Sequence, residues 1–478
     1  MADKPFIHTI KSPYNNYFFD VNTDSIVPVS DSTYEYLENL EYGGEEKELT
    51  EDIEQEMECL KMQGYLNHKR PTVLKDPRTE EIEYYLNNRL AQIIFQVTQQ
   101  CNFRCSYCGY TSGDNILERT HANRNMDWNI AKKALEFFSQ RVRDSKFVNV
   151  CFYGGEPLLE LDLIKKIISY SKECMEGKGL RFNMTTNAAL LTPEVFRYLA
   201  DEKVSIMVSL DGPAILHNKG RKLAVDGTGS FDLVYQSLLK IKEKYPAEYK
   251  ELIMYNCVVG TDSSILEIEE FFKQPLFEGI NVLTPVVEPS NGTSLDFENE
   301  FLRSDQMSSL LGLMHLQGLV EEDEIGSVSK SYCSSIKKRG DELTPMEKLP
   351  DKIGRGGPCL SGIQHLFVTY DGKFLPCEKV SGLSDAMCIG NYKNGFDYEK
   401  VCSHINLVSL TPEQCRSCWA LLHCFSCANH ADGGEELSQE MILEKCNESR
   451  DLLESEIKSL IALDETRHTL RNHYVSHI

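Results

Sequence analysis

Residues 101–108 read CNFRCSYC, and this octapeptide sets the architecture that we expect for the chain. It places Cys101, Cys105 and Cys108 on one short loop. Three thiolates on such a loop can each bind one iron of a [4Fe-4S] cube and leave the fourth iron without a protein ligand. A structural zinc site is the alternative, but it needs four ligands, and the loop contains no fourth Cys or His. The loop therefore predicts an iron-sulfur cluster with one open coordination position.

The region around this loop alternates apolar strands with amphipathic helices, which is typical of an α/β fold with a parallel sheet. About 200 residues is short for a barrel of eight units, so we expect an open partial barrel with its site at the C-terminal strand ends. The predicted strands are residues 92–98, 148–153, 181–186, 204–210, 252–259 and 282–287. The predicted helices are residues 131–142, 161–175, 193–203, 231–245 and 265–273.

The composition argues against two classes of function, nucleic-acid binding and membrane association. The chain has 478 residues and a formal net charge of −23, which repels a phosphate backbone, so we expect no nucleic-acid binding. It has no apolar run long enough to span a membrane, and its first residues lack the apolar core of a signal peptide, so we expect a cytoplasmic protein without a membrane partner. In such a protein, 17 cysteines favour metal or redox chemistry over disulfides.

The C-x3-C-x2-C pattern, with Tyr107 before its third cysteine, resembles the signature of the radical S-adenosylmethionine (SAM) enzymes. The resemblance implies a partial (β/α)6 barrel, in agreement with the six strands that the apolar pattern predicts. It also implies that SAM chelates the open iron and is cleaved by one electron to methionine and a 5′-deoxyadenosyl radical. An external electron donor of the flavodoxin or ferredoxin type would then be a partner.

Residues at later strand ends fit the same resemblance. Residues 154–157, GGEP, resemble the motif that holds the methionine ammonium group, and glycines permit such close backbone approach. Thr186, Asn187 and residues 209–213 resemble polar contacts to the ribose, with ordinary strand-end caps as the alternative. Arg221 resembles an arginine that pairs with the SAM carboxylate, with a surface arginine as the alternative. The expected cofactor-binding residues are Tyr107, Gly154, Gly155, Glu156, Asn187, Ser209 and Arg221.

A second group of cysteines begins at Cys359. On spacing alone, the two C-x2-C pairs at residues 415–418 and 424–427 also fit a four-thiolate zinc knot. The whole order resembles the SPASM extension of radical SAM enzymes, which carries two auxiliary [4Fe-4S] clusters, although the spacing before Cys427 is one residue shorter than usual. The resemblance implies one ligand set of Cys359, Cys377 and Cys427, and another of Cys415, Cys418, Cys424 and Cys446.

The first of these sets has only three cysteines. Either Cys333, Cys388 or Cys402 completes it, or one iron is open to a substrate thiolate, and we favour the open iron because it would position that thiolate beside a carbon radical. Glu378 follows Cys377, where sulfatase-maturing relatives place an acidic residue thought to act as a base. The remaining cysteines, Cys59, Cys151, Cys174 and Cys257, fit buried apolar positions.

The N-terminal residues predict three short strands, at 6–11, 17–22 and 25–29, and two helices, at 32–40 and 51–66. Asp31 or Ser32 is the expected cap of the first helix and Thr50 that of the second. The pattern resembles the winged-helix-like recognition element of ribosomal-peptide maturases, in which a leader peptide adds a strand to the sheet edge. An oligomerisation or packing module is the alternative.

Together these features predict a radical SAM peptide maturase that forms thioether crosslinks, of the sactipeptide or ranthipeptide kind, in a Cys-rich precursor peptide with a leader. The alternatives are a sulfatase maturase that makes formylglycine, a carbon-carbon crosslinking enzyme, and a non-catalytic iron-sulfur scaffold that binds peptide. The expected regions are a recognition element (1–75), a linker (76–90), a radical SAM core (91–289), a bridging region (290–353), a SPASM domain (354–447) and a C-terminal helix and tail (448–478). We also expect one helix near residues 305–319 and a charged helix over residues 435–464.

Overall fold

The structure, a computed structural model, describes residues 4–43, 48–108, 121–287, 297–357 and 359–475, with side chains up to residue 466. Pro289, near the predicted end of the barrel, lies outside these ranges. In this part of the chain, none of the helices has the length and hydropathy that a membrane crossing requires.

The N-terminal module is a three-stranded antiparallel sheet followed by two helices, as the sequence predicts. The middle strand is buried along its whole length, because both neighbouring strands and the packing elements on each face cover it. The elements are β1 (Ile7–Lys11), β2 (Asn16–Asp20), β3 (Ser25–Val29), α1 (Asp31–Tyr42) and α2 (Glu51–Met62).

The ends of these two helices differ from the prediction. Ser30 caps α1 by accepting a backbone N–H bond, so the predicted caps Asp31 and Ser32 are wrong. Thr50 precedes α2 as expected, but its side chain makes no capping hydrogen bond. The helix α2 ends at Met62, before residue 66, because Gly64 adopts a left-handed backbone with φ of 95° and its N–H donates to the carbonyl of Lys61.

The predicted linker, residues 76–90, is folded and packed. It contains a 3-10 turn and a helix, and Leu86 of that helix is fully buried in the core of the following barrel. The module is therefore joined to the barrel by a segment that contributes to the barrel core. The elements are β4 (Val73–Leu74), the turn at Pro77–Glu81 and α3 (Ile82–Asn88).

The central region repeats strand and helix as predicted. Its helices bury apolar stripes against the sheet, and their outer faces are polar. The strands are β5 (Gln92–Thr98), β6 (Phe103–Cys105), β7 (Phe147–Gly154), β8 (Gly179–Thr186), β9 (Val204–Ser209), β10 (Arg221–Leu223), β11 (Ile253–Asn256) and β12 (Val282–Leu283). The helices are α4 (Trp128–Ser139), α5 (Leu161–Cys174), α6 (Pro193–Asp201), α7 (Ala214–Gly220), α8 (Phe231–Lys244), α9 (Pro246–Leu252) and α10 (Ile265–Phe272).

Six of these strands form the predicted partial barrel. The strands β5, β7, β8, β9, β11 and β12 lie side by side in chain order, and every neighbouring pair is parallel. Their C-terminal ends therefore meet at one edge, where parallel α/β folds place their sites. The strands β6 and β10 form a separate antiparallel pair at this edge.

The bridging region contains two packed helices, whereas the sequence predicted one, near residues 305–319. The second was missed because it buries only Ser329, Cys333 and Ile336, too few positions for an apolar stripe. The helices are α11 (Asn299–Leu316) and α12 (Ser327–Glu342).

The cysteine-rich region continues the barrel sheet. Its β14 pairs parallel with β5, and β15, β16 and β17 follow in antiparallel order, so the described sheet is mixed, open and ten-stranded. The last helix begins at Cys446, not at residue 435 as predicted, because a separate short helix precedes it. The elements are β13 (Lys352–Ile353), β14 (Leu366–Val368), β15 (Lys373–Leu375), β16 (Gly390–Asn391), β17 (Gly395–Phe396), α13 (Tyr398–Ile405), α14 (Pro412–Arg416), α15 (Gln439–Glu444) and α16 (Cys446–Val475).

Candidate active site

The first cysteine loop is held by strand pairing. It leaves the end of β5, and its β6 segment pairs with β10 so that Cys105 lies opposite Arg221. The guanidinium Nη1 of Arg221 is 4.0 Å from the Cys105 Sγ atom. The pairing brings a cation from a distant part of the sequence beside the predicted cluster ligands, where it favours thiolate over thiol.

Asp211 is the centre of a buried network beside this loop. Its Oδ2 accepts a hydrogen bond of 2.8 Å from Nε of Arg221 and another from the hydroxyl of Tyr107, while its Oδ1 accepts the N–H of Val258. Arg221 is only 6% exposed, so the surface-arginine alternative is wrong. The network fixes the arginine and the tyrosine relative to the cysteine loop.

The GGEP turn packs directly on the segment that leads into Cys101. The N–H of Gly155 donates to the carbonyl of Thr98, and the next N–H donates to the carbonyl of Gln100. A Cβ at Gly154 would overlap the Thr98 carbonyl, and a Cβ at Gly155 would overlap that of Gln100. The glycine pair is therefore required for backbone contact between the two loops, and Gly154 also has a φ of 142°.

Glu156 joins the turn after β7 to the end of β8 from a fully buried position. Its carboxylate accepts hydrogen bonds from the Thr186 hydroxyl at 2.6 Å, the Asn187 N–H at 2.8 Å and the Leu158 N–H at 3.0 Å. Burial raises the pKa of Glu156, and these donors lower it. The carboxylate thus holds the GGEP turn against the end of β8.

Asn187 connects the hydrogen-bond network of Glu156 to the cysteine loop. Its Nδ2 donates to Asn102 Oδ1 at 2.7 Å and lies 3.7 Å from the Cys101 Sγ atom. Its Oδ1 also accepts the N–H of Ala189, so it acts as a strand-end cap as well. Ser209, at the end of β9, is buried.

The thiols of the cysteine loop fit a cluster in which iron takes the place of the thiol protons. Burial raises the pKa of Cys101 to about 12 and that of Cys105 to about 11, with Arg221 lowering the latter. Negative charge on Cys108 would raise both values, so the three thiols share one neighbourhood. Metal ligands must be deprotonated, so cluster assembly here would release protons.

The structure also brings the predicted first auxiliary set together. Burial raises the pKa of Cys377 to about 12, and the neighbouring charges of Glu378 and Cys427 contribute. The pKa of Cys427 is raised by burial and also by Cys359. Cys427 thus interacts electrostatically with both Cys377 and Cys359, and Cys359 is exposed.

The predicted second auxiliary set lines a small cavity. Cys415, Cys418, Cys424 and Cys446 all contribute to its wall, as does the buried side chain of Arg355. Within the described ranges, no three His, Cys, Asp or Glu side chains lie close enough together to hold a single metal ion. A [4Fe-4S] cube makes no such demand, because each thiolate binds a different iron.

The three candidates for a fourth ligand of the first auxiliary set lie in different places. Cys333 donates to the carbonyl of Gly312 between α11 and α12. Cys388 packs in the same hydrophobic cluster as Cys377, whereas Cys402 packs on the barrel core. Among the three, Cys388 is therefore the one that shares surroundings with a member of the set.

Two further sequence interpretations concern single residues. Glu378 is partly buried, and its charge raises the pKa of Cys151 on β7, so it faces the barrel from the cysteine-rich region. Cys257 is buried as expected, but Cys59 is exposed on α2, so its assignment as a buried apolar residue is wrong.

Comparison with known proteins identifies the domain that contains this site. Residues 95–274 match the Radical SAM superfamily. The chain contains a radical SAM domain. SAM and iron-sulfur chemistry are accordingly its cofactor chemistry, and the match spans the loop of Cys101, the GGEP turn and Arg221.

Three relatives of this radical SAM enzyme are informative. An uncharacterized protein of Methanocaldococcus jannaschii is 24% identical over 316 residues, which are 65% of this chain and 93% of the relative. The cysteine-type anaerobic sulfatase-maturating enzyme of Clostridium perfringens is 25% identical over 386 residues, covering 74% of this chain and 92% of the relative. The radical SAM cyclopropyl synthase TigE of Paramaledivibacter caminithermalis is 24% identical over 209 residues, covering 42% and 40%.

Solved structures agree on the fold. The structure of native anSMEcpe with bound AdoMet and Cp18Cys peptide has a TM-score of 0.55 at 18% identity, covering 80% of this chain and 99% of that chain. The AdoMet-bound form without peptide has a TM-score of 0.54 at 19% identity, covering 76% and 99%. The barrel and its cysteine-rich extension are thus a known architecture.

Sequence reasoning missed two residues of this site. Asp211 stood within the strand-end segment 209–213, but no sequence signal showed that it would pair with Arg221 and Tyr107. Arg355 stands in the segment Gly354-Arg355-Gly356-Gly357, and the flanking glycines are the signal that could have indicated a close backbone approach.

Proposed function

We propose that this radical SAM enzyme is a peptide maturase that joins a cysteine sulfur of a precursor peptide to a carbon of another residue. It would hold three [4Fe-4S] clusters, on the cysteine loop and on the two C-terminal sets, and act in the cytoplasm with a flavodoxin-type or ferredoxin-type electron donor. The observation that carries the proposal is the three-cysteine set, in which Cys359 is exposed to an incoming thiolate.

Peptide maturation is supported by the relatives. Sulfatase-maturating enzymes and a cyclopropyl synthase are among them, and the anSMEcpe structure contains a bound Cys peptide. The N-terminal sheet supports a leader peptide as part of the substrate. In the described residues β3 pairs only with β2, so its outer edge is available for an added strand.

The chemistry requires that one carbon-hydrogen bond and one sulfur-hydrogen bond break for each carbon-sulfur bond formed. When bound, SAM and the clusters supply the radical that takes the hydrogen atom and an acceptor for the released electron. The thiol proton needs a base. Glu378 is the candidate, because it lies beside Cys377 and faces Cys151 of the barrel.

Formylglycine formation is the second candidate, favoured by the Clostridium perfringens relative, of which this chain covers 92%. Carbon-carbon bond formation is the third, favoured by the cyclopropyl synthase. Product chemistry separates them. A thioether loses two hydrogen atoms and one free thiol, a carbon-carbon crosslink loses two hydrogen atoms and keeps the thiol, and formylglycine made from cysteine loses the sulfur.

The test uses reconstituted enzyme, SAM and reductant without oxygen, with the peptide of a small Cys-rich reading frame beside the gene and with the Cp18Cys peptide in parallel. Products are reduced, alkylated and weighed, so that disulfides do not count as crosslinks. We expect loss of two hydrogen atoms and one alkylation site in the first peptide, and no change with Cys108→Ala enzyme. Loss of sulfur from either peptide would reject thioether formation.

The open-iron hypothesis has its own test. A triple Cys333→Ala, Cys388→Ala, Cys402→Ala variant should keep the iron content and the spectrum of the first auxiliary cluster, whereas Cys377→Ala should lose them. Loss of that cluster in the triple variant, followed by retention in a variant that restores Cys388 alone, would instead assign Cys388 as the fourth ligand.

A further inference from the structure

Arg355 is a buried cation in the wall of the cavity that the second auxiliary cysteine set lines. Its side chain is 5% exposed, and neither Nε nor Nη1 has a hydrogen-bond partner. Among the residues that the structure describes, no carboxylate pairs with it, and its one polar contact runs from Nη2 to the Cys446 Sγ atom at 3.9 Å. A buried charge without a counter-charge is costly, so the fold predicts an anion in this cavity.

The backbone around Arg355 is built to hold it there. The N–H of Gly356 donates to the carbonyl of Leu421, and a Cβ at Gly356 would overlap the carbonyl of Leu422. A Cβ at Gly357 would overlap the carbonyl of Cys424 in the same way. The glycines let the chain lie against the cysteine loop, which fixes the position of the arginine relative to the thiols.

Two uncharged hydroxyl groups contact thiols of the second auxiliary set, that of Ser449 in the cavity wall and that of Thr411 outside it. The Ser449 hydroxyl lies 3.4 Å from the Cys424 Sγ atom, and the Thr411 hydroxyl lies 3.2 Å from the Cys415 Sγ atom. Arg450 also lines the cavity, but it is partly exposed and donates to Asn447. Arg355 is therefore the one fully buried charge among the described lining residues.

A cube held by four thiolates is anionic, and reduction adds one more negative charge. A fixed buried cation stabilises the reduced form more than the oxidised form, since its attraction grows with the charge it faces in a medium of low polarity. Hydrogen bonds and charges around a cluster are known means by which proteins set its potential. The guanidinium group of Arg355 supplies both a positive charge and unpartnered N–H donors.

We infer that Arg355 sets the reduction potential of the second auxiliary cluster and makes that cluster a better electron acceptor. This inference rests on the cluster assignment in the proposed function, but not on the thioether reaction. One electron enters the cluster from an external reductant, no bond forms or breaks, and the guanidinium keeps its proton.

The test is a redox titration of the peptide-free holoenzyme followed by electron paramagnetic resonance. The signal of the second auxiliary cluster is assigned by its loss in Cys418→Ala. In Arg355→Gln we expect the reduced-to-oxidised ratio of this cluster at fixed potential to fall about tenfold, which is about 59 mV for one electron. The other clusters should keep their potentials, and Arg355→Lys should retain most of the wild-type value.

Arg141→Gln is the matched control. Arg141 also has a buried Nε without a partner, but it packs on Phe137 in the barrel, away from the cysteine sets. Its variant should leave all cluster potentials unchanged. The inference is overturned if Arg355→Gln keeps the iron and the wild-type reduction potential of the second auxiliary cluster. It is also overturned if Arg355→Gln and Arg355→Lys both lose that cluster, or if the second auxiliary cysteine set of the wild-type protein holds zinc. Failure of thioether formation would appear only in the peptide assay, which this titration does not use.

Discussion

The imidazole of His8 stacks on the indole of Trp419, with ring centroids 3.9 Å apart and ring planes 7° apart. His8 belongs to β1 of the N-terminal sheet, and Trp419 directly follows Cys418 of the second auxiliary set. Phe19 of β2 meets the same indole edge-on, and Nδ1 of His8 contacts Glu41 at 2.8 Å. The N-terminal module thus packs against a cysteine loop, and within the described ranges the outer edge of β3 pairs with no strand.

This contact predicts that the module and the cysteine loop stabilise each other. Trp419→Ala removes a stacked aromatic pair and leaves a gap, so we expect a loss of about 2–3 kcal/mol in the free energy of unfolding. The value lies below that of a fully buried indole, because Trp419 is partly exposed. Urea unfolding of the metal-free protein measures it, and Tyr14→Ala, at a side chain that is 76% exposed, is the neutral control. Equal stability of wild type and Trp419→Ala would show that the stack contributes nothing.

The same contact determines how leader binding must be tested. Deleting residues 1–75 would uncover Trp419, so a point substitution on β3 is the cleaner variant. A proline such as Pro28 has no N–H to donate, so it fits in β3 when its nitrogen points away from β2. Ile26 lies two residues earlier, so its N–H points to the same outer edge of the sheet. Ile26→Pro should weaken binding of a labelled precursor peptide by about tenfold, since it removes a main-chain donor.

Fluorescence anisotropy measures this binding, and Ile26→Ala is the matched control, because it loses the same side chain but keeps the N–H. Peptide-independent SAM cleavage should be equal in both variants. If Ile26→Pro binds the precursor as tightly as Ile26→Ala does, the leader does not use this edge.

Asp211 predicts a large stability effect in the network beside the first cysteine loop. Asp211→Asn leaves the buried guanidinium of Arg221 without its counter-charge, and we expect a loss of about 3–5 kcal/mol. Asp226→Asn, at an exposed position of the following loop, should change stability little. In a double variant with Arg221→Gln, part of the loss should be recovered, because the uncompensated charge is gone. Strictly additive losses in the unfolding measurement would contradict the network.

The buried carboxyl group of Glu156 predicts how the free energy of unfolding changes with pH. Burial raises the pKa of Glu156 in the folded protein, so protonation favours folding. This contribution is fully present below the ordinary glutamate pKa of about 4.3 and is lost as pH rises through the raised pKa. The unfolding free energy of wild type minus that of Glu156→Gln should therefore decrease as pH increases from about 4.

Urea titrations of metal-free protein at several pH values provide this difference, in which the other carboxyl groups cancel. Glu267→Gln, at an exposed helical position, should give a difference that is flat with pH. A difference that stays constant or grows with pH for Glu156→Gln would reject the direction assigned to Glu156.

The barrel could be predicted because its signals are local. The strands β5, β7, β8, β9 and β11 are short apolar runs, helices with apolar stripes follow them along the chain, and the strands pair in chain order. The helix α12 lacks such a stripe, and its place in the fold depends on packing against α10, α11 and α16. The continuation of the barrel sheet by β14 depends on pairing across more than half the chain, which no local pattern reveals.

The residues of the site also divide into those with a local sequence signal and those that meet only in the folded structure. Cysteine spacing carried the ligand predictions, because loops that hold clusters are short and regular. Tyr107 and Asp211 are 104 positions apart and meet only through the pairing of β6 with β10 and the end of β9. Contacts of this kind arise from tertiary structure, and no local sequence pattern shows which two residues will meet. The glycines beside Arg355 indicate a close backbone approach, but they do not show that the arginine lines the cavity of Cys446.

The central claim is that the radical chemistry of the Cys101 loop acts on a peptide and ends in a carbon-sulfur bond. The most direct measurement is the fate of deuterium when the precursor peptide is uniformly labelled at its carbon-bound positions. We predict deuterium in 5′-deoxyadenosine, formed in step with the loss of one alkylatable thiol per crosslink from a peptide that keeps all of its sulfur. Unlabelled 5′-deoxyadenosine together with an unchanged number of peptide thiols would contradict the account.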